Sequence, residues 1–410
     1  MINLTLLREH PEKFAELVHK KDPDFEVNKL IDLDKSVRTS RLQVEELRHK
    51  KNELAQQGKQ GITEQLREQS IIVGKQLKEK EKELVHQETE FKWLYLRCPN
   101  IPSEDVPAGG KEANTVVKQV GEQLQCNFPV KNHLDLAHQF GWIDFETAAK
   151  IAGSNFALYK GEAVRALYAL AMFMLNNNIE YGFKPVIPPY LANEKSLVTT
   201  GNFPKFKEDV YAVRDEDLYL IPTAEVSIAN MYRDMIVSQD ELPIRHTAWT
   251  SCFRREAGGY GATERGLIRI HQFEKVELFT LCEPDNAYDE QEKMLECAEN
   301  ILKQLGLHYR VSLLAAQDSS FPSAKTYDIE VWLPGQKEYY EVSSVSNCTD
   351  FQARRGKIRY KNEKTGKNEL VYTLNGSSLA LPRLMVALME TYQQEDGSIA
   401  LPHVLNKYGI

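Results

Sequence analysis

From Val27 to Arg97 the chain carries no proline and only three glycines, Gly58, Gly61 and Gly74, while leucine, glutamate, lysine and glutamine dominate. Within that stretch Leu30, Leu33, Val37, Ser40, Val44, Leu47, Lys51 and Leu54 advance in alternating steps of three and four, the seam of a left-handed coiled coil. A second seam runs through Leu66, Ser70, Val73, Leu77, Lys80, Leu84, Gln87, Phe91 and Leu94. The break between them, Gly58-Lys59-Gln60-Gly61, is short, so the two helices must fold back on each other. At about 1.5 Å per residue each arm of roughly thirty residues reaches about 45 Å, longer than a globular domain of this size needs. Such an arm is expected to touch something distant. Polar seam positions (Ser40, Lys51, Lys80, Gln87) weaken its packing, and Arg38, Arg41, Arg48, Lys50, Lys51, Lys75, Lys78 and Lys82 offer basic surface to a phosphate backbone. Acidic neighbours nearly balance them, as on any solvated helical face, so charge alone does not separate a nucleic-acid arm from a dimerisation spacer.

The rest of the chain must hold a conventional core. Its 410 residues, 42% hydrophobic and 27% charged, exclude a disordered or fibrous protein and allow two or three domains. A formal charge of -8 argues against a histone-like coat of positive charge and leaves local basic faces open. The six cysteines (Cys98, Cys126, Cys252, Cys282, Cys297, Cys348) form no C-x-x-C pair, so no zinc is expected and a reducing compartment is. The segment Met1 to Pro11 lacks the apolar core of a signal peptide. The strongest apolar run, Ala166 to Leu175, is about half of what spans a bilayer. A cytoplasmic location with no membrane partner is the expectation.

The breakers between Pro99 and Gly110 mark a linker. We therefore expect an N-terminal domain over 1–100 with its arm at about 27–97, a linker over 101–114, and a catalytic domain over 115–410. In the latter, strands are expected at Tyr219–Ile221, Leu267–Leu281, Thr326–Leu333 and Tyr339–Ser343, and helices at Gly161–Leu175 and Asp285–Gln304. Helices and strands do not alternate regularly, and the strands carry polar residues on one face. That pattern favours an α+β fold, an antiparallel sheet surrounded by helices.

Chemistry concentrates between Thr250 and Glu277, which reads as strand, glycine-rich loop, strand. On extended chain Arg254 and Glu256 share one face, and so do Arg269, His271, Phe273, Lys275 and Glu277. No P-loop and no G-x-G-x-x-G after a strand is present. A nucleotide bound here would be held by arginine forks on its phosphates and by Phe273 stacked on its base.

These residues resemble motif 2 of class II aminoacyl-tRNA synthetases, in the form found in the seryl-tRNA synthetase family: Phe253-Arg254-x-Glu256, a loop, then Arg269-x-His271-Gln272-Phe273-x-Lys275-Val276-Glu277, within about 248–279. Leu374 to Arg383 resembles motif 3 (about 374–392), and Ala166 to Leu175 with Gly182 to Pro189 resembles motif 1 (about 161–190). Pro222-Thr223-Ala224-Glu225-Val226, Lys325 to Trp332, Glu341-Val342-Ser343-Ser344-x-Ser346-Asn347 and Asp350 to Arg355 also look like segments of that family. With the arm, the resemblance spans essentially the whole chain.

The resemblance implies a ligase that activates L-serine with ATP and transfers it to the terminal adenosine of the serine tRNA, the selenocysteine tRNA remaining open. It implies a homodimer. ATP would contact Arg254, Arg255, Glu256, Phe273, Glu341, Val342, Ser343, Ser344 and Arg383, with Arg254 on the α-phosphate and Arg383 on the γ-phosphate. Serine would contact Thr223, Ala224, Glu225, Arg254, Glu277, Asn375 and Ser377. Glu341 and Ser344 would carry Mg²⁺ on the ATP phosphates, and Arg254, Arg383 and Glu341 would be catalytic. A spacing of three does not fit one face of a regular strand, so a bulge or strand end is expected between Glu341 and Ser344. His271 is expected as a packed histidine rather than a base. Departures from the family pattern lie in Gly261–Gly266, at Arg255, where serine is common, and at Asn155, where arginine is common. Two other readings stay open: a relative that loads an amino acid onto a carrier protein, and a retired RNA-binding module.

Overall fold

A computed structural model describes residues 1–59, 61–124, 126–256 and 266–409. The chain divides into two units, Asn3–Pro99 and Asn100–Ile410, the latter joined by Met1–Ile2.

The first unit begins with two short helices, α1 (Leu4–Glu9) and α2 (Pro11–Lys21). The arm follows as α3 (Val27–Gly58) and α4 (Glu64–Arg97), the second started by Thr63, whose hydroxyl accepts the Leu66 N–H at 3.2 Å. Leu30, Val37, Ser40, Val44 and Leu54 are buried along α3, and Val73, Leu77 and Leu94 along α4, as the seams require. Lys51 and Ser70, at the far end, are exposed. Arg41 pairs with Glu88 at 2.6 Å and Arg48 with Glu81 at 2.8 Å, so each advance on α3 meets an equal retreat on α4 and the helices are antiparallel. One buried group was not foreseen. Asp34 accepts Arg8 at 2.8 Å and Arg38 at 2.9 Å, tying α1 to the root of the arm.

In the second unit an eight-stranded sheet carries the site. Its strands are β1 (Thr115–Val120), β2 (Lys184–Pro185), β3 (Ile244–Phe253), β4 (Gln272–Cys282), β5 (Tyr309–Leu313), β6 (Lys325–Leu333), β7 (Glu338–Asn347) and β8 (Tyr372–Ala380). They lie in the order β1-β5-β6-β7-β8-β4-β3-β2, and every neighbouring pair is antiparallel except β2 with β3. Helices α5 (Glu162–Glu180), α6 (Ala224–Asn230), α7 (Ala287–Gln304) and α8 (Leu381–Tyr392) surround it.

Strand parity decides which side becomes core and which becomes site. On β4 the even residues Val276 and Leu278 are fully buried in one core with Leu170, Met294, Ala298, Leu384 and Met385 from α5, α7 and α8. The odd residues Phe279 and Leu281 enter a second core with Ala224 and Ile228 of α6. Further along that same odd face stand Phe273, Lys275 and Glu277, which line cavities instead. On β8 the division repeats: Leu374 is core, whereas Asn375 and Ser377 reach the cavity. Gly376 sits between them because a Cβ there would come within 3.0 Å of Met294 Sδ on α7 and 3.2 Å of Val345 Cγ2.

Several boundaries differ from the sequence expectation. The strand expected from Leu267 begins only at Gln272; Leu267, Ile268 and Ile270 are all buried, so this segment turns into the core rather than alternating. The strand expected at Tyr339–Ser343 continues to Asn347, and its register slips between Glu341 and Ser343, a bulge and not the strand end that the spacing also allowed. The helix at Gly161–Leu175 runs on to Glu180, Tyr219–Leu220 forms a small sheet with Leu191–Ala192, and the helix expected from Asp285 starts at Ala287. The stretch expected to be a linker is strapped to the body. Asn100 Nδ2 donates to the carbonyls of Pro322 and Cys348, the Ser103 N–H to Ala324, and Asn114 Nδ2 to Asp318.

Candidate active site

Two adjoining cavities open on the odd face of β4. The larger, about 520 Å³, is lined at its base by Thr223, Glu225, Lys275, Glu277, Asn375 and Ser377. The smaller, about 100 Å³, is lined by Phe273, Val342 and Arg383, with Leu267 to Ile270 forming one wall. Arg254, Glu256, Arg269, Lys275, Glu341 and Ser377 border both.

Strand β3 ends at Phe253, so Arg254 and Glu256 reach the cavity from irregular chain and not from the extended face that parity assigned them; Glu256 has a left-handed φ of 50°. The Arg254 guanidinium lies 5.2 Å from the Phe273 ring centroid, its Nε donating to the Pro222 carbonyl at 3.3 Å. Arg269 pairs with Glu256 at 2.7 Å. Arg383, near the start of α8, pairs with Glu341 at 3.2 Å and donates to the carbonyls of Glu341 at 2.8 Å and Ile268 at 3.2 Å. Thus two arginines already hold carboxylates, while no such pair forms at Arg254 among the described residues.

The base of the larger cavity is a buried charge cluster. Lys275 pairs with Glu277 at 2.6 Å and donates to Thr223 Oγ1 at 2.9 Å, and the Thr223 hydroxyl donates to Glu277. Thr223 also caps α6, which places Glu225 in its first turn. Glu225 has no cation partner among the described residues. Its Oε1 accepts from Gln352 Nε2 at 2.5 Å and from Asn375 Nδ2 at 3.1 Å. Burial first and the charge of Glu277 second push its carboxyl up to about 7. The folded chain therefore holds a proton on Glu225 that the unfolded chain releases near the ordinary carboxylate value. This group's contribution to stability falls as pH rises through about 7. Glu225→Gln should raise the melting temperature more at pH 8 than at pH 5.5, while serine affinity drops about tenfold or more. Thermal unfolding and serine titration at both pH values check the pair of outcomes.

Ala224 is buried as the first residue of α6, and Ser343 is buried with its hydroxyl donating to the Ser377 carbonyl at 2.5 Å. Arg255 borders neither cavity; it is exposed, and its N–H donates to the Asp209 carbonyl at 2.8 Å. The bulge in β7 brings Glu341 and Ser344 to one cavity. His271 Nδ1 lies 3.0 Å from the Arg254 carbonyl, and the ring packs against Phe156 and Tyr211, outside both cavities. Asn155 takes the left-handed conformation that asparagine tolerates, and its carbonyl accepts the His271 N–H at 2.9 Å. Of the departures in Gly261–Gly266, all but Gly266 lie outside the described residues. Sequence reasoning assigned no role to Arg269, Lys275 or Gln352, although the parity of β4 already put Lys275 beside Glu277. The far wall, Thr200–Asn202, Phe206, Asp209 and Ser320–Pro322, carried no chemical signal at all.

Comparison with known proteins fits this architecture. The family model "tRNA synthetase class II core domain (G, H, P, S and T)" matches residues 206–392, and the sheet with its arginine-bordered cleft is that of a class II aminoacyl-tRNA synthetase. Residues 1–102 match the "Seryl-tRNA synthetase N-terminal domain". A serine–tRNA ligase of Hydrogenobaculum sp. (strain Y04AAS1) is 45% identical over 100% of this chain and 99% of its own length. The crystal structure of seryl-tRNA synthetase from Pyrococcus horikoshii complexed with ATP superposes with a TM-score of 0.92 at 36% identity, covering 100% of this chain and 98% of that one. The chain belongs to the seryl-tRNA synthetase family, whose activity is the ligation of serine to tRNA.

Proposed function

We propose that the two cavities divide the substrates of serine activation, ATP over Phe273 and serine at the base, and that Arg254 sits where they meet. The observation that carries this reading is that an aromatic ring with arginines lines one cavity, the buried Glu277 and the half-buried Glu225 line the other, and Arg254 borders both. Glu225, unpaired with any described cation, receives the serine ammonium. Glu277, already balanced by Lys275, joins Thr223 and Ser377 around the serine hydroxyl. Leaving those groups unpaired is what discriminates against alanine, by a factor of about 10⁴ or more.

The serine carboxylate attacks the α-phosphorus, the bond to the bridging oxygen breaks, and pyrophosphate leaves. The tRNA 3′-terminal hydroxyl then displaces AMP from the seryl carbonyl. Arg254 neutralises charge at the α-phosphate, and Arg383 leaves Glu341 for the γ-phosphate. Glu341 and Ser344 are hard oxygen donors on one cavity wall and suit Mg²⁺, which such sites hold through one or two protein oxygens and the substrate phosphates. When bound there, the ion would screen the negative charge of those phosphates.

The arm engages tRNA by its exposed basic residues. A second copy of the chain covers Tyr168, Met172 and Ile179, an apolar row on α5 whose members are 58%, 44% and 45% exposed. Serine-dependent ATP–pyrophosphate exchange followed by charging of bulk tRNA tests the whole. Both should occur. Exchange without charging would favour loading of a carrier protein, and no exchange would favour an RNA-binding module. Sedimentation should give a dimer that Met172→Glu weakens.

A further inference from the structure

Behind the cavity wall that carries Glu341 and Ser344 lies a carboxylate that neither substrate uses. Asp328 stands on β6 in register with Ser344 on β7, so their side chains share a face, and the Ser344 hydroxyl is the neighbouring group that favours its charged form. One of its oxygens, Oδ1, is shut off from solvent and has no hydrogen-bond partner among the described residues. Acidic neighbours surround it: Glu341, Glu330 and Asp318 all act on it electrostatically. Glu330 is neutralised by Arg310 at 2.8 Å and also accepts from Ser312 Oγ at 2.6 Å. Asp318 accepts from Asn114 at 2.7 Å. No lysine or arginine among the described residues pairs with Asp328, and it borders neither cavity. A buried carboxyl with no counter-charge either takes up a proton or is matched by a cation brought near it.

We propose that Asp328 is a positioning residue for a divalent cation: by accepting the Ser344 proton it turns the hydroxyl's lone pairs toward the cavity, and it adds negative charge behind the ion. This rests on the reading that Glu341 and Ser344 carry the cation. Carboxylates that hold a ligand from behind change metal affinity by about 10–100-fold when removed. The bulge at Glu341–Ser343 is what makes the arrangement possible, because it lets Glu341 and Ser344 face one cavity while Ser344 remains opposite Asp328.

Mn²⁺ titration of the full-length enzyme with a non-hydrolysable ATP analogue, read by electron paramagnetic resonance, tests this directly. Asp328→Asn keeps size and fold and should weaken Mn²⁺ binding about 10–100-fold, with serine affinity within about twofold and an undiminished melting temperature. In a Ser344→Ala background the same change should cost less than about threefold, because Asp328 acts through that hydroxyl. Unchanged Mn²⁺ affinity in Asp328→Asn, or losses that add in full to those of Ser344→Ala, would overturn the assignment. Glu341→Gln separates the two levels: if it weakens Mn²⁺ binding and Asp328→Asn does not, only the role of Asp328 falls. If neither changes it, the cation reading itself falls.

Discussion

Excising Leu47–Lys82 and joining Glu46 to Glu83 through a short glycine-serine loop should lower tRNA charging by about 10³ or more and leave serine-dependent pyrophosphate exchange within about twofold. The excision keeps the antiparallel register, since Arg41 still faces Glu88, and it spares the root, where Asp34 holds Arg8 and Arg38. It removes the far half of the hairpin, including Arg48, Lys50, Lys51, Lys75, Lys78 and Lys82. Arg48 is about 60% exposed in its pair with Glu81, and an exposed pair of that kind contributes little, so a phosphate can displace the carboxylate at small cost. On the proposed assignment activation needs only residues of the second unit, because every residue it gives to ATP and serine lies between Thr223 and Arg383. Removal of the whole arm, Val27–Arg97, should act in the same direction. Equal loss of both half-reactions would show that the arm supports the fold of the catalytic unit rather than the tRNA.

The arm was the most legible part of the sequence because a heptad seam is a local, repeated signal and tolerates a few polar members. Lys51 and Ser70 are exposed where the helices near their ends, and buried Leu30, Val44, Leu77 and Leu94 still define the register. In the catalytic unit, parity along β4 was enough to group Phe273, Lys275 and Glu277, because alternation holds wherever a strand is regular. It failed on Leu267 to His271, where three apolar side chains drive the backbone inward, and at Arg254 and Glu256, which lie past the end of β3. An irregularity at Glu341–Ser343, a bulge or a strand end, was inferable because two residues that the family resemblance gives to one ion stand three apart. What the sequence hid were partners far along the chain. Nothing near Glu225 announces Gln352, and nothing near Ser344 announces Asp328, since cross-strand neighbours are set by register and not by local pattern.

Arg254→Ala should reduce the rate constant for pyrophosphate exchange by about 10²–10³ while raising the KM values for serine and ATP less than about tenfold. The reason is where the guanidinium stands before substrate arrives. Arg269 and Arg383 each hold a carboxylate, Glu256 and Glu341, so part of what they gain from phosphate is offset by the pair they release. Arg254 has no such pair to break among the described residues; its Nε rests on the Pro222 carbonyl and its guanidinium carbon lies 5.2 Å from the centroid of the Phe273 ring. It thus already stands on the boundary between the two cavities, where the proposed reading has charge build as the serine carboxylate meets the α-phosphorus. A donor fixed at that point contributes more to the transition state than to either bound substrate, which predicts a loss in kcat and not in KM. Arg254→Lys should recover little, because a lysine ammonium cannot reproduce the fork on two phosphate oxygens while it also keeps the contact to Pro222. Exchange kinetics with saturating serine and ATP decide the matter: a kcat within about threefold of the parent enzyme would move the α-phosphate away from Arg254 and, with it, the meeting point of the two substrates.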